Sequence, residues 1–226
     1  VVITAALTNA LKVVGKKKED VKIVLNGIGA AGGAAAKLLL DLGYRHLTLC
    51  DKDGILVPGT PGQPSHHEEL AARTNPEKRT GTLAEALVGA DVFIGVSRPG
   101  LVTGAMVETM AKDPVILAMA NPVPEIMPDE ALAHGAAVVG TGRSDFPNQI
   151  NNVLVFPGLF KGALSCGAVQ ITEGMKYAAA QALADMVAPE DLSPTCILPS
   201  PLNRAPADAV ANAVAAEARR TGHARF

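Results

Sequence analysis

Three glycines stand in the spacing GxGxxG within VLNGIGAAG, residues 24–32. The preceding apolar run VKIVLN predicts a strand, and the alanine-rich run at 30–42 predicts a helix. In this context the first glycine permits a tight turn, the second admits a pyrophosphate, and the third allows close helix packing. The amino end of the helix offers N–H donors and a partial positive charge to a phosphate. The predicted cofactor contacts here are Gly27, Gly29, Ala30, Ala31 and Gly32.

An acidic residue follows the motif at the distance expected for a ribose contact. Asp51 ends the second predicted strand, HLTLCD, 19 residues after Gly32. The alternative is a glycine-rich turn followed by an unrelated surface aspartate, but strand, glycines, helix, strand and acid all occur in order. Asp51 would repel a 2′-phosphate, whereas the adjacent Lys52 would offset that repulsion. The predicted cofactor is therefore NAD or NADP, with a slight preference for NAD.

Polar residues also follow the later strands. Val96 and Ser97 end the run DVFIGV, where they could line either ribose of the cofactor. Asn121 follows the run VILAM and precedes Pro122, so its amide could face the nicotinamide or a substrate, or could simply cap a turn. Asn152 lies in a polar loop beside Asn151, and we expect one of these two amides to face a ligand while the other braces the loop.

Short apolar strands alternate with helices along most of the chain, which predicts a parallel sheet with helices on both faces. Because we find no convincing strand at 52–90, the DVFIGV strand should cross to the far side of the first strand and create a topological switch point there. The predicted class is an α/β, doubly wound, Rossmann-like fold. It forms one NAD(P)-binding domain over residues 1–226, with a helix at 1–14 and helices at 169–220 as extensions. The predicted strands are 21–26, 46–51, 91–96, 115–119 and 136–140.

Composition excludes several classes of protein. The chain is 48% hydrophobic and 19% charged with a net charge of −2, so nothing indicates nucleic-acid binding. No apolar run is long enough to cross a membrane, and no signal peptide is visible, so we expect a cytoplasmic protein. The three cysteines are far apart and include no CxxC pair, which argues against a disulfide framework or a zinc cluster. The adjacent His66 and His67 point about 100° apart on a helix, so we assign no metal ligand.

Seven segments together resemble malic enzymes: TAALTNALKVVGK, VLNGIGAAG, LCDKDG, GVSRPG, AMANPVPEI, GTGRSDFPNQINNVLVFPG and LFKGAL. The resemblance implies oxidative decarboxylation of malate to pyruvate and CO2 with NAD or NADP and a divalent metal, Mg²⁺ or Mn²⁺. It makes Asn121 a substrate and cofactor contact and Asn152 a contact of the substrate carboxylate. It places the tyrosine base, the lysine acid and the metal site in a catalytic domain upstream of Val1. It also implies a homo-oligomer, expected to be a dimer.

Two other functions stay open at this stage. One is the nucleotide-binding domain of another Rossmann dehydrogenase, of the shikimate or amino-acid type. The other is a non-catalytic NAD(P)-sensing module, in which the helix after Val169 would bind a partner. The Asn-Pro and Asn-Asn loops favour the malic enzyme interpretation, because those other chemistries do not demand both. In that interpretation the chain is part of an NAD(P)-dependent oxidoreductase and is inactive by itself.

Overall fold

A computed structural model describes residues 1–226, which form nine α-helices, six strands and one 3₁₀ turn. The helices are α1 (Val2–Val13), α2 (Ala30–Asp41), α3 (Ser65–Thr74), α4 (Leu83–Leu87), α5 (Gly104–Glu108), α6 (Pro128–Ala133), α7 (Phe156–Ser165), α8 (Glu173–Ala184) and α9 (Ala205–Arg220). The strands are β1 (Lys22–Asn26), β2 (His46–Asp51), β3 (Gly54–Ile55), β4 (Val92–Gly95), β5 (Val115–Ala118) and β6 (Val138–Thr141). The 3₁₀ turn is Asn152–Leu154. No helix combines the length and apolarity needed to span a membrane.

The strands form a single sheet in the order β3-β2-β1-β4-β5-β6. β4 pairs in parallel with β1, which confirms the predicted crossing to the far side of the first strand. The predicted Rossmann-like α/β class is thereby confirmed as well. The interpretation of 52–90 as free of strands is wrong, because β3 pairs antiparallel with β2. That strand has only two residues, too few to show alternation in a sequence.

An aliphatic core covers the sheet. Every residue of β4, β5 and β6 is buried, as expected for parallel strands with helices on both faces. One face packs against α4, α5 and α6, and its largest fully buried side chain is Phe93. The sheet is therefore a rigid platform whose strand ends can position polar groups.

The chain divides into two compact units. Residues 14–147 form the sheet unit, and residues 1–13 with 148–226 form the helical unit. In the helical unit α9 packs against both α7 and α8, and α1 packs against α8. The buried Asn9 amide on α1 donates to the carbonyls of Ala184 and Ile197, at 2.8 and 3.0 Å. This bonding ties the first helix of the chain to its last third.

The helix predicted after Val169 begins later than expected, as α8 at Glu173. Thr172 begins α8, because its hydroxyl accepts a hydrogen bond from the Met175 N–H at 3.2 Å. Gly167 ends the preceding segment in the left-handed region, with φ +58°. The segment FPGLFKGAL, to which we had assigned no structure, forms most of α7.

Candidate functional site

The turn from β1 into α2 has the backbone geometry that a dinucleotide needs. Gly27 has φ +98°, a conformation that residues with a side chain rarely adopt. A Cβ on Gly32 would lie 1.8 Å from the Gly27 carbonyl oxygen, so helix and turn approach too closely for any side chain there. A Cβ on Gly29 would meet no atom within 4 Å. The space beside Gly29 is open, and no side chain caps the amino end of α2. This cradle fits a pyrophosphate.

Asp51 stands at the carboxyl end of β2, next to this turn. Its Oδ1 accepts a hydrogen bond from the Lys52 backbone N–H at 2.9 Å. Its Oδ2 lies 3.8 Å from His67 Nε2, beyond hydrogen-bonding distance, and its side chain is 35% exposed. Asp51 therefore keeps an oxygen accessible to a ribose hydroxyl, as its predicted role requires.

His67 lies at this site although the sequence did not indicate it. Its Nε2 is 2.8 Å from the carbonyl oxygen of Ile28, so Nε2 must carry the hydrogen that is donated. The side chain is only 14% exposed, so His67 packs against the glycine turn. The signal was absent because the contact joins α3 to the glycine turn 39 residues away.

A cavity of about 410 Å³ opens at the ends of β1, β2 and β4. It brings together three residues predicted as cofactor contacts, Asp51, Lys52 and Ser97. Asn26, Arg98 and Leu101 also line it. A cavity of this size, lined by both polar and apolar residues, suits a nucleoside. Val96, also predicted as a cofactor contact, does not line this cavity but lies against the glycine turn, where its carbonyl oxygen would be 2.8 Å from a Cβ on Gly27.

Hydrogen bonds fix the segment that leaves β4. The Asn26 side-chain amide donates to Ser97 Oγ at 2.8 Å, and the Ser97 backbone N–H donates to Glu125 Oε1 at 2.9 Å. The other oxygen of Glu125 accepts from the Ala120 N–H at 3.0 Å. Sequence reasoning missed Asn26 and Glu125, because these bonds join positions 71 and 28 residues apart along the chain.

Asn121 is exposed and follows β5 by three residues, and its peptide bond to Pro122 is cis. The carbonyl of Pro122 accepts a hydrogen bond from Arg143 Nη1 at 3.3 Å. Arg143 also forms two hydrogen bonds with Asp145, which raise the pKa of the guanidinium and lower that of the carboxyl. Arg143 therefore braces this loop and is already paired with a carboxylate.

Asn152 lies in the helical unit, at the start of the 3₁₀ turn. The neighbouring Asn151 accepts a hydrogen bond from the Val153 N–H at its Oδ1, at 3.0 Å, and so caps the turn. The Asn152 residue is exposed. Asn151 therefore braces the loop, and the prediction that Asn152 faces a ligand stays a prediction.

Nowhere in the chain do three or more His, Cys, Asp or Glu side chains converge on a point that could hold a metal ion. Cys50 is buried, and this burial raises the pKa of its thiol to about 12. The residues of this chain therefore do not fit a divalent ion by themselves.

The strand order, the glycine cradle and the acid at the end of β2 define a dinucleotide-binding domain of the Rossmann type. Comparison with known proteins narrows this class. Residues 1–219 match the family model described as the NAD binding domain of malic enzyme. The chain belongs to the malic enzyme family.

Similar proteins include the bifunctional malic/malolactic enzyme of Bacillus subtilis, 51% identical over 100% of this chain and 55% of the relative. The NAD-dependent malic enzyme of Geobacillus stearothermophilus is 49% identical over 100% of this chain and 47% of its own length. NADP-dependent malic enzymes also match. The crystal structure of an NAD-dependent malic enzyme from Thermotoga maritima is 45% identical with a TM-score of 0.90, over 95% of this chain and 56% of that one. The chain spans about half the length of the Bacillus, Geobacillus and Thermotoga relatives, and 25% and 31% of two NADP-dependent ones.

Proposed function

We propose that this chain binds NAD(P) at the carboxyl ends of its strands and forms the coenzyme half of an enzyme that oxidatively decarboxylates malate to pyruvate and CO2. The carrying observation is the open space beside Gly29, which directly adjoins an uncapped helix end. At Gly27 and Gly32 the space of a side chain is filled by protein atoms, whereas at Gly29 it is open to a ligand. The names of the relatives supply the substrate.

In the proposed function the residues of this chain bind or orient the ligands. The N–H groups at the start of α2 hold the pyrophosphate, and Asp51 accepts from a ribose hydroxyl. The Asn121 amide contacts the nicotinamide end and the substrate. The Asn152 amide donates to a malate carboxylate, a charge-assisted hydrogen bond worth roughly 1.5–3 kcal/mol. The coenzyme would supply hydride acceptance when bound.

We propose NAD as the preferred coenzyme. Asp51 presents a carboxylate oxygen with no cation within hydrogen-bonding distance, and this charge would repel a 2′-phosphate. Isothermal titration of the chain should therefore show tighter binding of NAD than of NADP. Asp51→Asn should reduce that preference, since it removes the repulsion and keeps the shape. Equal affinity for both coenzymes before the substitution would contradict the role given to Asp51.

The proposed reaction needs a test with the remaining half of the enzyme. A longer chain that includes it should turn over malate with Mg²⁺ or Mn²⁺, and Asn152→Ala should raise the KM for malate with little change in that for NAD. An equal rise of both would contradict the assignment of Asn152. NAD binding without malate turnover in the longer chain would instead support another Rossmann dehydrogenase.

Location and assembly are also proposals. None of the three cysteines forms a disulfide, and two of them are buried. Free thiols are typical of a reducing compartment, which supports a location in the cytoplasm. We propose a homodimer for the longer enzyme, which light scattering on a size-exclusion column would test.

A further inference from the structure

Glu125 is a carboxylate buried at the centre of the sheet unit. Its exposed fraction is 0%, and no lysine, arginine or histidine lies within ion-pairing distance of it. A buried carboxylate without a cation is costly unless hydrogen bonds compensate for the lost water. Here both oxygens accept from backbone N–H groups, Oε1 from Ser97 and Oε2 from Ala120. The buried carboxylate therefore joins the backbone at Ser97 to the backbone at Ala120.

The sheet makes room for this carboxylate. A Cβ on Gly95, the last residue of β4, would lie 2.4 Å from Glu125 Cδ and 2.6 Å from Oε1. Any side chain at Gly95 would therefore displace the acid from its two donors. Two separate positions in the chain, 30 residues apart, thus serve the same contact.

The two segments joined are those that carry predicted coenzyme contacts. Ser97 lines the nucleoside cavity, and Ala120 immediately precedes Asn121. Backbone bonds from Gly100 to Pro124 and from Val102 to Glu125 join the same two loops further out, at 3.2 and 3.0 Å. At the strand ends themselves, the Met119 N–H donates to the Gly95 carbonyl at 2.9 Å. The carboxylate adds two side-chain contacts just beyond that bond, to Ser97 and Ala120.

We propose that Glu125 is a positioning residue for the coenzyme site, which holds the ends of β4 and β5 together and thereby orients Asn121 towards the nicotinamide half. This inference rests on the proposed function. It concerns a residue that does not itself touch the coenzyme, and it assigns the charge of Glu125 to ligand geometry as well as to folding.

The test compares NAD with ADP-ribose, which lacks only the nicotinamide ring. Glu125→Gln keeps the side-chain volume but turns an N–H donor towards one of the two backbone N–H groups. We expect the affinity for NAD to fall about tenfold, the free-energy equivalent of one net hydrogen bond, and that for ADP-ribose to fall less than about threefold. The measured quantity is the Kd for NAD divided by the Kd for ADP-ribose. This ratio cancels any effect on the adenosine side or on the folded fraction.

A matched control is Glu130→Gln, because Glu130 also accepts a hydrogen bond from a backbone N–H, that of Gly104 at 3.0 Å, away from the coenzyme cavity. The ratio should not change in this control. Adding Glu125→Gln to Asn121→Ala should also leave the ratio unchanged, since the residue being oriented is gone. Should Glu125→Gln fail to fold, Glu125→Asp keeps the charge and shortens the reach, and should raise the ratio to a smaller extent.

An unchanged ratio in a folded Glu125 variant, with wild-type protein that binds both ligands, would overturn the positioning role and leave the proposed function intact. A rise in the ratio that is equally large in the Asn121→Ala background would also overturn it. Wild-type protein that binds neither ligand would instead contradict the proposed function, and this inference with it.

Discussion

Glycine occurs at close approaches in both units, but the atoms around it differ. In the helical unit a Cβ on Gly158 would lie 2.5 Å from the Ala207 carbonyl oxygen, and one on Gly162 would lie 2.4 Å from that of Ala211. Those glycines let α7 lie directly against α9. In the sheet unit the middle glycine of the motif, Gly29, has no neighbour within 4 Å. A glycine whose side-chain space is filled serves packing. Among the glycines with open side-chain space, Gly29 alone has no left-handed φ that would call for glycine, so it marks a surface that a ligand can approach.

Gly32→Ala should have the largest effect, because the side-chain space of Gly32 is filled by the same turn that carries Gly29. The new Cβ would lie 1.8 Å from the Gly27 carbonyl oxygen, and a backbone atom cannot move aside as a flexible side chain can. We expect the free energy of unfolding to fall by about 3 kcal/mol, at the upper end of overpacking, and NAD binding to be lost with it. Thermal unfolding and isothermal titration measure these two effects. A variant with unchanged stability would show that the α2 turn adapts.

Gly29→Ala should separate binding from stability. Its φ of −75° suits alanine, and the loss of a glycine helix cap is offset by the reduced freedom of the unfolded chain. We expect the free energy of unfolding to change by less than about 0.5 kcal/mol. The affinity for NAD should fall at least about tenfold, because the methyl group enters the space kept for the pyrophosphate. Unchanged affinity would contradict the distinction between filled and empty glycines.

Much of this arrangement could be predicted from the sequence, because it depends on local patterns. The bounds of β2 match the prediction, and the glycine turn lies between the predicted strand and helix. The two-residue β3 could not be predicted, because it is a strand only through its antiparallel pairing with β2. His67 and Glu125 could not be placed either, because their contacts join segments 39 and 28 residues apart along the chain. Side chains that position a site from a distance have no local pattern.

Gly162→Ala should affect the helical unit alone. The new methyl group would press on the backbone of α9 at Ala211, and we expect a loss of roughly 1–2 kcal/mol in the free energy of unfolding. The affinity for NAD should stay within about twofold of the wild type, because Gly162 belongs to no predicted coenzyme contact. Denaturant titration with and without NAD tests both statements. A large loss of NAD affinity in folded Gly162→Ala would show that the helical unit contributes to coenzyme binding.

The smallest effect concerns the thiol of Cys50, which is buried beneath the end of β2 next to Asp51. Burial raises the pKa of this thiol from 9.0 to about 12, so the folded state holds the proton more tightly than the unfolded state does. The resulting stabilisation is complete below pH 9 and is lost as the pH rises towards 12.

Between pH 8 and pH 10 we expect the wild type to lose roughly 1 kcal/mol more stability than Cys50→Ala, whatever the cost of the substitution itself. Cys196→Ala in the helical unit is the matched control, because it removes a thiol that is only partly buried and lies outside the sheet unit. Parallel pH profiles for the wild type and Cys50→Ala would mean that water reaches Cys50, and the ribose end of the site would then be less closely packed than the glycine turn beside it.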